Sequence, residues 1–250
     1  MLRVNAMSRA TPLRVASDTQ DDPASLLGPT PLIASDDPAI VAFADRVVGD
    51  ASAPVERARC LYYAVRDEIR YDPYSIELTP TGLSATRCLA EAAGFCVTKA
   101  ALFVAVARAA GIPARIGFAD VRNHLATGRL RALMGTDTFC FHGYADLYLE
   151  GRWVKATPTF NIELCERFRV RALDFDGRHD AMLHAFDADG RRHMEYVNFR
   201  GVFDDVPHAT IIPTFRALYP GMFDGDRVKG RGDFAAEAAA ERATFVAGNP

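Results

Sequence analysis

The segment GFCVTKAALFVAVARAAGIPARIGF, residues 94–118, contains a run that is apolar almost all the way round a helix. From Val97 to Ala110 only Thr98, Lys99 and Arg108 interrupt it, so a helix formed there has no face to give to water and must lie inside the protein. Its most apolar part, Ala100–Ala110, falls far short of the ~20 residues needed to span a bilayer, so it reads as a core helix. Gly111-Ile112-Pro113 ends it. Ahead of it, Thr86–Ala93 is expected to form a short helix closed by Gly94 in the left-handed conformation. Cys96 then sits in the first turn of the buried helix.

Downstream, Ala114–Val121 reads as a strand, and Phe139–Leu149 alternates over its whole length. The alternation sends Phe139, Phe141, Gly143, Ala145, Leu147 and Leu149 to one face, and Cys140, His142, Tyr144, Asp146 and Tyr148 to the other. Glu150-Gly151-Arg152 turns the chain into a second strand, Trp153–Thr157, which Pro158 stops. A hairpin therefore brings Thr157 back toward the neighbourhood of His142. Upstream, Asp36-Asp37-Pro38 opens a helix running to about Val48, and Pro54 opens another that ends before Tyr71-Asp72-Pro73. Farther on, Arg192–Asn198 is a candidate strand, Ala209–Leu218 a short helix broken near Pro213, and AAEAAAERA a helix-favouring stretch.

A cysteine is a strong nucleophile only as thiolate, and its ordinary pKa of about 8.5 leaves it mostly protonated at neutral pH. The positive end of a helix and a neighbouring imidazole both lower that value, and Cys96 has the first by position. His142 is the best candidate base, because it lies on the polar face of an otherwise apolar strand. The unpaired N–H groups of the same helix end could also receive the charge that develops on a carbonyl oxygen under attack.

Residues 94–118 and FHGYADLYLEGRWVKATPTFN, residues 141–161, resemble the transglutaminase-like superfamily of papain-like thiol enzymes. The shared pattern is a glycine and cysteine opening a helix that ends in GIPAR, then a histidine-led strand, then a Trp-bearing strand that stops before proline. VRDEIRYDP, residues 65–73, resembles the segment that opens such domains. The likeness runs over roughly residues 31 to 215, nearest to uncharacterised bacterial members. It implies an α+β fold with a papain-like core, in which the buried Cys-bearing helix packs on an antiparallel sheet. It also implies a cysteine nucleophile and histidine base, carried here by Cys96 and His142, acting on a peptide or protein amide substrate.

The third catalytic position falls on Thr157, where the family commonly has Asp. A hydroxyl can accept a bond from the imidazole but cannot stabilise imidazolium as a carboxylate does, and Asn161 and Asp174 stay open as substitutes. Hydrolysis by a cysteine peptidase or amidase is the expected reaction. A non-catalytic peptide-binding module and an amine-incorporating transglutaminase are the alternatives.

Composition narrows the remaining choices. Of 250 residues 49% are hydrophobic, enough for one sizeable core. Twenty-nine Lys plus Arg against 32 Asp plus Glu give a net charge of −3, with no excess suited to nucleic acid or an anionic membrane. The first residues, MLRVNAMSRATPLRV, lack the apolar block of a secretory signal, so a soluble cytoplasmic protein is expected. The oligomeric state is not legible.

Cys60, Cys88, Cys140 and Cys165 read as small buried hydrophobes, and five cysteines at irregular spacings argue against a disulfide framework. No cofactor is indicated. Cys140 with His142, or His179, His184 and His193, fit no zinc spacing, and Asp187-Ala188-Asp189-Gly190 reads as a turn rather than a calcium loop. The expected organisation is a mobile arm over residues 1–30, the catalytic-type domain over 31–220, and a partly helical tail over 221–250.

Overall fold

A computed structural model describes residues 15–16, 22–124, 126–183, 190, 193–230 and 232–247, apart from the side chains of 15–16 and 242–247. After the two-residue strand β1 (Val15–Ala16) come α1 (Pro38–Val48), α2 (Pro54–Glu68), β2 (Arg70–Tyr71) and α3 (Ala85–Glu91). Next are β3 (Ala93–Gly94), α4 (Cys96–Ala109), β4 (Ala114–Asn123), α5 (Gly128–Met134), β5 (Thr138–Leu149) and β6 (Arg152–Ala156). The chain ends with α6 (Ile162–Phe168), β7 (Met194–Phe203), α7 (His208–Leu218), the short strands β8 (Phe223–Asp224) and β9 (Arg227–Val228), and α8 (Phe234–Ala247). An antiparallel sheet in the order β1-β7-β4-β5-β6 carries α4 on one face, which makes the fold α+β as the sequence implies. Among the described residues no helix is long and apolar enough to cross a membrane.

Helix α4 is the centre of the packing. Every residue from Cys96 to Arg108 is buried, because α1, α2 and α3 surround the sides that β4 and β5 leave uncovered. Two basic side chains inside it are satisfied by backbone. The Lys99 side-chain nitrogen donates to the carbonyls of Arg66 and Ile69 at the end of α2, while burial pulls its pKa down to about 7. The Arg108 guanidinium donates to the carbonyls of Ala114, Gly28 and Asp204.

Entry into α4 differs from the sequence reading at one residue. The left-handed residue that closes α3 is Ala92 (φ 46°), not Gly94. Gly94 instead lies in β3, paired in parallel with β2, with Thr98 and Cys88 so close that a Cβ would stand 2.4 Å from Thr98 Oγ1 and 2.7 Å from Cys88 Sγ. Thr98 Oγ1 accepts the Phe95 N–H at 3.1 Å, so the helix is capped from inside its own first turn.

Strand β5 also departs from simple alternation. Ala119 pairs with His142 and Val121 with Phe139, leaving Asp120 opposite both Cys140 and Phe141. This is a β-bulge with Phe141 in the left-handed region (φ 55°). As a result Cys140 and Phe141 both join the main core. His142 lies on the other face with its partner Ala119, on the side of the small Ala119, Tyr144 and Val202 cluster. Cys140 and His142 therefore do not share a face.

The described residues near the two ends also have defined places. Leu26 is buried, and α8 docks through Glu237, which accepts from the Tyr74 hydroxyl and pairs with Arg129. Helix α7 continues through Pro213, and β7 extends the candidate strand to Phe203; residue 192 lies outside the described residues.

Gly143 is the point of closest approach between β5 and α4. A Cβ there would stand 2.9 Å from the Cys96 carbonyl oxygen, 3.0 Å from Val97 Cα and 3.1 Å from Ala100 Cβ. Overpacking of this kind costs about 1–3 kcal/mol. Gly143→Ala is expected to lower the melting temperature by several degrees, whereas Gly28→Ala, with nothing within 4 Å of the added carbon, leaves it nearly unchanged. Equal melting temperatures for the two variants would show that the strand and helix part without cost.

Candidate active site

Cys96 is the first residue of α4 and only 6% exposed. The N–H groups of Gly143, Val97 and Cys96 itself favour the charged form of its sulfur, so the helix end and the strand residue after His142 act on one atom. The sequence reading expects these donors to lower the thiol pKa. They do oppose the shift, but burial outweighs them and pushes the thiol up to about 11.

His142 is 3% exposed, and burial holds its imidazole down to about 4. The Nε2 atom is buried with no hydrogen-bond partner, so no bond joins it to the Cys96 sulfur in this state. Burial thus acts against the thiolate of Cys96 and the imidazolium of His142 alike.

The bulge before His142 is held from the neighbouring strand. Asp120 Oδ1 accepts the Phe141 N–H at 3.1 Å and the Arg200 Nε–H at 2.6 Å. The same guanidinium lies 4.3 Å over the Phe141 ring. Burial alone would raise the Asp120 carboxyl, but the Arg200 and Phe141 donors outweigh it and hold it below its usual value. A non-glycine residue at positive φ is thus tied down on both its N–H and its ring, directly before the imidazole. Asp120 and Arg200 were not singled out in the sequence. Their partners lie 21 and 80 residues away, and no local pattern marks them.

Thr157 lies just past the end of β6 and is 1% exposed. Its N–H donates to the Ala181 carbonyl, and its hydroxyl contacts Met182 Sδ at 3.6 Å and the Tyr196 hydroxyl. Tyr196 also accepts the Leu183 N–H and interacts electrostatically with Cys96, so it links the surroundings of Thr157 to those of the thiol. Burial raises the Tyr196 hydroxyl to about 12, which leaves it a neutral donor. It arrives on β7, and no local pattern marks it.

The two other candidates for the third position are placed differently. Asn161 is the N-cap residue of α6, and its Oδ1 accepts the Tyr71 N–H at 3.2 Å, tying that loop to β2. Asp174 is on the surface, its side chain 70% exposed and paired with Arg171.

His193 is buried and stacks on Phe160, while His179 is an exposed partner of Asp176. His184 and residues 187–189 lie outside the described residues. Among the described residues no three His, Cys, Asp or Glu side chains gather as a metal site.

Residues 41–158 match the model of the transglutaminase-like superfamily, and the fold is transglutaminase-like. No curated protein matches the chain. Among solved structures, one from Cytophaga hutchinsonii described as a putative cysteine protease is 18% identical, with a TM-score of 0.47. The alignment covers 78% of this chain and 51% of that one. Another, from Parabacteroides distasonis and described as a putative protease, is 17% identical with a TM-score of 0.34, covering 61% of this chain and 31% of that one. The chain thus spans about half or less of the length of either structure.

The buried imidazole has a consequence for stability. The unfolded chain takes up this proton below its ordinary value of 6.5, the folded protein only below about 4. The stabilisation is therefore complete above pH 6.5 and is lost as pH falls toward 4. At 1.36 kcal/mol per pKa unit the loss is about 3 kcal/mol. Urea unfolding followed from pH 7 to pH 4 is expected to show this decline in the wild type and a shallower one in His142→Gln; identical slopes would mean that the imidazole is hydrated.

Proposed function

With a transglutaminase-like core across residues 41–158, we propose that the protein carries out thiol-dependent acyl transfer on an amide or peptide bond, with water as the final acceptor. The observation that carries this reading is the buried, unpartnered His142 Nε2, one residue before the N–H that bonds the Cys96 sulfur. A buried nitrogen without a partner is costly, and a substrate or leaving group that supplies one offsets that cost.

In this reading the Cys96 sulfur attacks the carbonyl carbon while its proton passes to His142. The carbonyl oxygen takes on negative charge facing the N–H groups at the start of α4. His142 then gives the proton to the departing amine nitrogen, the C–N bond breaks, and a thioester remains. Water, losing a proton to His142, adds to the thioester carbon; the acid leaves and the thiol is restored. Water is the simplest acceptor because it needs no binding site of its own. A primary amine in its place would give the transglutaminase outcome.

Because burial acts against both charged forms, His142 is already a base at neutral pH, and the proton moves during attack rather than before it. Loss of activity on the acid side is therefore expected near pH 4, where the buried imidazole protonates, and not near 6.5.

A second reading, a peptide-binding module without turnover, is favoured by the contacts of Thr157: its hydroxyl is engaged with Met182 and Tyr196, and it brings no carboxylate to the site. Cleavage of a mixed peptide library, followed by mass spectrometry, separates the two. Turnover is expected to fall by at least about 10³-fold in Cys96→Ala and about 10²-fold in His142→Ala. Cleavage that survives Cys96→Ala would remove the thiol from the mechanism. Peptide binding without cleavage or covalent adduct in the wild type would establish the module. Incorporation of a labelled amine into glutamine peptides would identify amine transfer instead.

A further inference from the structure

Cys96 forms part of the wall of a cleft enclosing ≈ 380 Å³, counting the space that opens to solvent. The remaining wall is assembled from distant parts of the chain, including Tyr71 of β2, Met134 of α5, Phe139 of β5, Phe215 of α7, and Met222. Among the described residues no charged side chain lines it. The Tyr219 hydroxyl at its edge is already committed, donating to the Thr138 carbonyl and accepting the Cys140 N–H.

We propose that this cleft is the acyl subsite, and that it takes one large apolar side chain, aromatic or of the Leu or Met type, on the residue whose carbonyl Cys96 attacks. The proposal rests on the thiol mechanism above and adds the substrate class. Two features support it. After the amine has left, only the acyl half of the substrate stays tethered to the sulfur, so a cleft that begins at Cys96 is within reach of that half's side chain. A charged side chain entering such a wall would give up its hydration and find no partner, whereas an apolar one gains from leaving water.

The test uses the full-length protein and p-nitrophenyl esters of N-acetyl-Phe, N-acetyl-Leu, N-acetyl-Ala and N-acetyl-Glu. In the acylation step the bond from Sγ to the acyl carbon forms and the bond to p-nitrophenolate breaks, while the thiol proton passes through His142 to solvent. The rate is read from p-nitrophenolate release, the site from the mass of the Cys96 peptide, and each rate is divided by that of glutathione with the same ester. The Phe and Leu esters are expected to acylate Cys96 at least about tenfold faster than the Ala and Glu esters.

Met134→Trp, which fills the cleft, is expected to reduce that ratio to near unity. Met222→Ala, which enlarges it, shifts the preference toward Phe over Leu and serves independently should the Trp variant not fold. Acylation of Cys96 with no preference, or with preference for Glu, would overturn the subsite and leave the thiol mechanism standing. Absence of a Cys96 adduct from every ester, with p-nitrophenolate release no faster than in Cys96→Ala, would overturn the thiol mechanism and the subsite with it.

Discussion

The contact between Gly143 and the first turn of α4 sets the rest of the arrangement. A strand normally packs against a helix at a distance fixed by side chains, but here β5 has none at the crossing. Its backbone can therefore approach until the Gly143 N–H reaches the Cys96 sulfur. The distance between strand and helix and the environment of the thiol are determined by the same missing Cβ. The bulge at Phe141 complements it by turning His142 onto the opposite face from Cys140 just as the strand meets the helix.

Burial then decides the electrostatics. The helix end and three N–H donors act on the thiol in the direction expected of an activated cysteine, yet the cost of a charged sulfur in a dry site is larger. The same dry site keeps the imidazole neutral. Burial therefore disfavours the thiolate and the imidazolium alike in the folded protein.

What was legible in the sequence follows from how local each cause is. Helix α4 could be read because burial on every side leaves a signature within fourteen residues. Asp37 and Pro38 marked the start of α1 through a cap bond between near neighbours. The hairpin of β5 and β6 was visible through alternation and a turn. The bulge was not visible, since Asp120 and Arg200 belong to other strands. Tyr196 was hidden for the same reason. Gly94 was misread because a glycine after a short helix has two uses, and the close approach of Thr98 and Cys88 claimed it for the second.

The three carbonyls that satisfy Arg108 come from positions 6, 80 and 96 residues away along the chain. Local structure alone can supply only the first. The guanidinium at the end of α4 stays short of partners until the segment at Gly28 and the junction after β7 have both arrived, and each of those closures carries the entropy of a long loop. Burial of that last helical turn and attachment of the chain's two outer parts are accordingly one cooperative event. The order of assembly is thereby constrained: a nascent chain still lacking residue 204 cannot complete the core that its first half already encodes.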